Sequence, residues 1–101
     1  MIEQLRYLDE EHSLISPIMV KVAASRENGG DLYVISIVHL RNELIFGIGR
    51  TKSLAYQMLR TELKKYYDFL MSSNLDRYHN SDYVQDKCWL ERIIEKHEST
   101  I

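Results

Sequence analysis

The apolar pattern of the chain changes period once, between Gly49 and Thr51, and this change limits the fold more than any other feature. Before it, LYVISIVHL (32–40) alternates: Tyr33, Ile35 and Ile37 point one way, and Val34, Ser36 and Val38 point the other. That is the two-residue repeat of a strand, carried by β-branched and aromatic residues. After it, TKSLAYQMLRTELKKYYDFLM (51–71) runs without Gly or Pro. Leu54 or Ala55, Met58 or Leu59, Glu62 or Leu63, Tyr66 and Leu70 keep helical spacing. Thr51 is a sound N-cap, because a threonine hydroxyl accepts an unpaired N–H of the first turn. Strands feeding a long amphipathic helix restrict the chain to a small α+β arrangement.

The remaining elements follow from local signals. Ile2, Leu5 and Leu8 recur at three-residue spacing and predict a short amphipathic helix over 2–11, broken by HSLISP and Pro17. IMVKVAAS (18–25) predicts a strand, and RENGGD (26–31) a turn in which Asn28, Gly29 and Gly30 supply positive φ. Arg41-Asn42 reads as a two-residue hairpin turn before a third strand, ELIFGIG (43–49). SSNLDRYHNSD (72–82) is a polar loop, and Asp82 followed by Gln85 starts a last helix to about His97. The predicted order is α-β-β-β-α-α, a three-stranded antiparallel meander with helices on one face. Residues 1–72 form the domain, and 73–101 form a loop and helix packed on it. Val84, Cys88, Trp89, Leu90, Ile93 and Ile94 cover more than half of that last helix. Trp89, Leu90, Ile93 and Ile94 are therefore assigned to a partner surface, because a small sheet does not easily bury all four; the alternative is that Trp89 closes the domain's own core.

Composition narrows the function. The length of 101 residues is one domain. Thirteen Lys and Arg against fifteen Asp and Glu give a net charge of −2, which counts against a strongly basic nucleic-acid binder. A single cysteine excludes an internal disulfide framework and a finger-type zinc site, and an unpaired Cys88 beside Trp89 reads as a buried, inert thiol. His12, His39, His79 and His97 form no metal-ligand spacing, and no phosphate-binding glycine loop or nucleophile elbow is present. No cofactor, metal or catalytic constellation is expected. Tyr56, Tyr66 and Tyr67 read as packing groups, and Lys64 and Lys65, offset by Glu62, as a solvated face. No apolar run is long enough to cross a bilayer, and MIEQLRYLDEEH lacks the apolar stretch of a signal peptide. With the free thiol, this predicts an intracellular protein, cytoplasmic or nuclear.

At the change of period stands Gly47-Ile48-Gly49-Arg50-Thr51-Lys52-Ser53-Leu54-Ala55. A helix N-terminus favours anions through its unpaired N–H groups and dipole, and Arg50 and Lys52 add positive charge. The two glycines read as strand termination and close packing rather than as a ligand cradle. The segment resembles the double-stranded RNA-binding domain, which has an α-β-β-β-α order and a G-x-G-x-[ST]-K-K-x-A-K junction before its second helix. The resemblance covers about residues 2–71. It implies a non-catalytic module that reads A-form duplex shape and phosphates. Carried over by position, it assigns RNA contacts to Gln4, Tyr7, Arg26, Asn28, Gly29, Arg50, Thr51 and Lys52. It also implies a setting in RNA silencing or processing, or in viral evasion of it.

The departures are equally specific. Only Lys52 remains of three lysines, the strand-connecting loop carries neither Pro nor His, and Asp9, Glu10 and Glu11 oppose phosphate. Family members that have lost these lysines serve as homodimerisation or protein-docking modules, which is the alternative reading. A HicB-like antitoxin, with a strand meander leading to an amphipathic helix, is a weaker resemblance.

Overall fold

The sheet is built outward from its longest strand. In the computed structural model, which describes residues 1–27, 29–72 and 81–97 (the side chain of Glu27 excepted), β1 spans Ile2–Leu5, β2 His12–Leu14, β3 Ile18–Glu27, β4 Gly30–Ile37 and β5 Phe46–Gly49. They are followed by α1 (Lys52–Ser72), α2 (Ser81–Ile93) and β6 (Ile94–Lys96). β1, β3, β4 and β5 form a four-stranded antiparallel sheet in that order, and β2 pairs with β6 in a separate two-stranded ribbon. The chain is a small α+β domain.

The first ten residues depart from the helical expectation. Ile2–Leu5 pairs with Ile18–Lys21, and Val22 N–H extends the ladder to the Met1 carbonyl at 2.8 Å. A spacing of three places two residues on one helix face but on opposite strand faces. Leu5 is indeed buried and Ile2 exposed, and Leu8, beyond the strand, is buried as well. An isolated ten-residue helix is marginal in water, whereas the strand satisfies one edge of β3.

The β3–β4 hairpin is tighter than the six-residue turn expected. The strands pair out to Glu27 and Gly30, and Gly29 adopts φ +77°, the left-handed region open to glycine. The β4–β5 connection is longer than a two-residue turn: β4 ends at Ile37 and β5 begins at Phe46. An acidic side chain from α2 explains the difference. The Asp86 carboxylate accepts the backbone N–H groups of Arg41 (2.7 Å) and Asn42 (3.0 Å), and Asn42 Oδ1 accepts Leu44 N–H (3.0 Å). Asp86 is only 1% exposed and also accepts the Tyr66 hydroxyl at 2.7 Å. Burial and this carboxylate push the Tyr66 phenol well above its ordinary pKa.

The core lies between the inner sheet face and α1. Leu5, Ile18, Val20, Val22, Ile35 and Ile37 meet Ala55, Leu59, Leu63, Tyr66 and Leu70, with Tyr33 partly buried beside them. The expected core role of Tyr33, Ile35 and Ile37 therefore holds, as do the packing roles of Tyr66 and Tyr67. The last helix ends at Ile93 rather than His97, and Ile94–Lys96 leaves it as a strand against His12–Leu14. Ile15 N–H to Ile93 O (2.7 Å) and His97 N–H to Glu11 O (2.6 Å) lengthen that ribbon at both ends.

Candidate functional site

The junction between β5 and α1 is where the candidate phosphate contacts sit. Thr51 caps the helix as expected, its hydroxyl accepting Leu54 N–H at 3.1 Å. Gly47 and Gly49 lie directly beneath α1. A Cβ on Gly47 would stand 1.9 Å from the Ala55 carbonyl oxygen and 2.7 Å from the Leu59 nitrogen, and one on Gly49 2.8 Å from the Ala55 nitrogen. The glycines thus admit the helix backbone to the sheet, and this space is filled by protein rather than open to a ligand. The free edge of β5 is also covered there: Ile48 N–H points to the Met58 sulfur at 3.4 Å.

The cations around this junction are mostly engaged. Lys52 forms an ion pair with Glu3 of β1, and the same carboxylate accepts the Tyr56 hydroxyl at 2.6 Å. The Lys52 and Tyr56 hydrogen bonds hold the Glu3 carboxyl below its usual range. Burial and Glu3 together push Tyr56 up to about 12. This trio ties the start of the helix to the edge strand. Arg26 lies across the β3–β4 hairpin from Asp31, with which it pairs at 3.5 Å. The Arg50 guanidinium reaches the same hairpin, where a Cβ on Gly30 would lie 3.5 Å from it. Arg26, Gly29 and Arg50 therefore lie at the hairpin end of the sheet, whereas the Lys52 ammonium turns to Glu3, which stands opposite Val20, six residues along β3 from Arg26. Gln4 is not among them: it projects from the opposite sheet face and accepts a hydrogen bond from Arg6. Tyr7 is exposed on the segment after β1. Asn28 lies outside the described residues, as do the loop 73–80 and His79.

The assigned partner surface on α2 is corrected. Leu90, Ile93 and Ile94 are buried in the chain's own core, and Trp89 packs against that core and against the His39 ring at 6.0 Å. The ribbon with β2 and the contact with α1 supply the second covered side that the sequence did not reveal. Cys88 is also corrected, since it is exposed rather than buried. Lys64 is not simply solvated. It lies 3.2 Å from Asp9, whose other oxygen accepts the N–H groups of Glu11 and His12 and contacts the His12 ring at 2.8 Å. Burial opposes the Asp9 charge, but the bonds from His12 and Lys64 outweigh it and bring its pKa to about 2. Ser13 and His97 approach to 2.6 Å across the exposed ribbon. No cluster of three or more His, Cys, Asp or Glu side chains suited to a metal occurs among the described residues.

A different surface went unrecognised in the sequence. The outer sheet face carries Ile2, Gln4, Met19, Lys21, Ala23 and Ser25 from β1 and β3, and Leu32, Val34, Ser36, Phe46 and Ile48 from β4 and β5. Both helices of the described chain have their buried residues in the core behind the sheet, and no described element lies over this face. Ile2 is 53% and Ile48 38% exposed. Lys21 is the single charged group among its described side chains. The signal was present: IMVKVA and LYVISIV are apolar at both parities, the pattern of strands covered on both faces.

Comparison with protein-family models, with curated proteins and with solved structures finds no match.

Proposed function

We propose that this chain is a non-catalytic interaction module that binds a protein through the outer face of its four-stranded sheet. One observation carries the reading: β3 and β4 carry apolar residues on both sides, and the described residues cover only one. A sheet face with seven apolar residues and one charge is costly to leave in water, and faces of this kind mark interaction sites. A hydrophobic dye tests it. The wild-type chain should enhance dye fluorescence, and Val34→Lys, in the middle of the face, should abolish the enhancement while leaving the circular dichroism unchanged. Equal enhancement by both proteins removes the reading.

Duplex RNA is the second reading, favoured by Arg50 and Lys52 on either side of the α1 N-cap and by the approach of Arg50 to the hairpin that carries Arg26. Two of these three cations already face Asp31 and Glu3, and a strand stands where the family's first helix would enter the minor groove. Titration with duplex RNA at two salt concentrations tests it. Arg50→Ala/Lys52→Ala should lower affinity whatever the base sequence, and an unchanged affinity discards the phosphate contacts.

A further inference from the structure

The outer sheet face has the properties of one half of a symmetric pair, and we propose that its occupant is a second copy of this chain, packed face to face. This rests on the interaction-module reading and names its partner. The first argument is chemical likeness. An apolar sheet surface is complementary to another of its kind, and sheets stacked face to face bury their side chains in a layer about 10 Å thick.

The second argument is charge. Lys21 stands on the face, and Glu43 stands at its rim, where both line a groove of about 450 Å3 with Ile2, Ser36 and Val38. Neither forms an ion pair among the described residues. A two-fold axis near Ser36, a small residue close to the middle of the face, would bring each Lys21 towards Glu43 of the other copy. A two-fold interface makes every such contact twice.

The third argument is area. Strands at about 4.8 Å spacing and about 3.3 Å per residue give this face roughly 400 Å2 before side-chain relief is counted. Val38, 47% exposed, extends it at the rim. Two copies then approach the roughly 1,000 Å2 at which specific complexes begin. The expected dimer is accordingly weak, in the micromolar range, and concentration-dependent.

Sedimentation equilibrium of the purified chain over a concentration series tests the proposal. The wild type should fit a monomer–dimer equilibrium, and Val34→Lys should weaken it at least tenfold with an unchanged melting temperature. Should Val34→Lys fail to fold, Ala23→Lys, exposed on the same face, takes its place. Lys21→Glu and Glu43→Lys should each weaken the dimer about threefold or more, and the double exchange should restore it. A wild type that remains monomeric at 0.5 mM overturns the proposal, as does a dimer indifferent to the lysine on the face or a double exchange that restores nothing. The dye measurement separates the two levels. A monomer whose dye binding is lost in Val34→Lys keeps the face as a site for another protein and removes only self-association. A monomer without that dependence removes both.

Discussion

The two faces of one sheet differ in what holds them. The inner face meets α1 through Val20, Val22, Ile35 and Ile37, and at Gly47 the helix backbone comes so close that even a methyl group has no room. The outer face of the same strands carries Met19, Ala23, Leu32 and Val34 beside Lys21, Ser25 and Ser36, and has no covering element among the described residues. Apolar composition alone therefore does not reveal which face a domain closes for itself. Where the backbones approach decides it, and glycines set that approach.

Substitution should break this contrast most sharply at Gly47. Gly47→Ala drives a Cβ into the Ala55 carbonyl and the Leu59 nitrogen, backbone atoms that move only with the helix. Overpacking of this kind is expected to cost about 3 kcal/mol or more, enough to abolish cooperative unfolding in a domain of marginal stability. Retention of the wild-type melting temperature would show that the helix can lift from the sheet. Asp86→Ala comes next, because it leaves the Arg41 and Asn42 N–H groups and the buried Tyr66 hydroxyl without their acceptor. A loss of about 2–4 kcal/mol in urea unfolding is expected.

Asp9 gives a smaller effect with a defined pH window. Its pKa falls from 3.8 to about 2 on folding, so its contribution is complete above pH 3.8 and is lost as the pH drops towards 2. At neutral pH the contribution is at most about 2 kcal/mol. Asp9→Asn should lower stability at pH 7 and flatten its decline between pH 4 and 2, measured by thermal melts at a series of pH values. The smallest effect belongs to the outer face. Val34→Thr there should change monomer stability by less than about 0.5 kcal/mol, whereas Val20→Thr on the covered face should cost about 1–2 kcal/mol. Equal losses at the two positions would mean that the outer face is covered within the monomer.

Much of the inner layer was legible because a single local pattern specified it. The alternation of 32–37, the helical repeat after Thr51 and the threonine cap each depend on neighbours a few residues apart. What escaped depends on partners distant in sequence. Ile2–Leu5 is a strand because Ile18–Lys21 offers an edge, and Ile94–Lys96 is one because His12–Leu14 does. Asp86 fixes a connection more than forty residues before it in the chain, and nothing in the Arg41-Asn42 dipeptide announces that. At the candidate site, Thr51 and the glycines were readable, but the Lys52–Glu3 pair required knowing that residue 3 lies in the sheet. The outer face has another cause: alternation along 32–37 marks the side that packs, and the apolar residues of the other side carry no local signal of whether anything covers them.

The ribbon between β2 and β6 governs when the fold can be completed. Ser13 and His97, which meet across it, are 84 positions apart, so it joins the beginning of the described chain to its end. Closing so large a loop is entropically costly when the intervening segment is still disordered and cheap once the sheet and α1 have shortened the path. Folding should therefore reach the ribbon last. During synthesis, β1, β3, β4, β5 and α1 can assemble while Leu14 and its neighbours wait, and the native state is attainable only after Ile94–Lys96 has emerged from the ribosome.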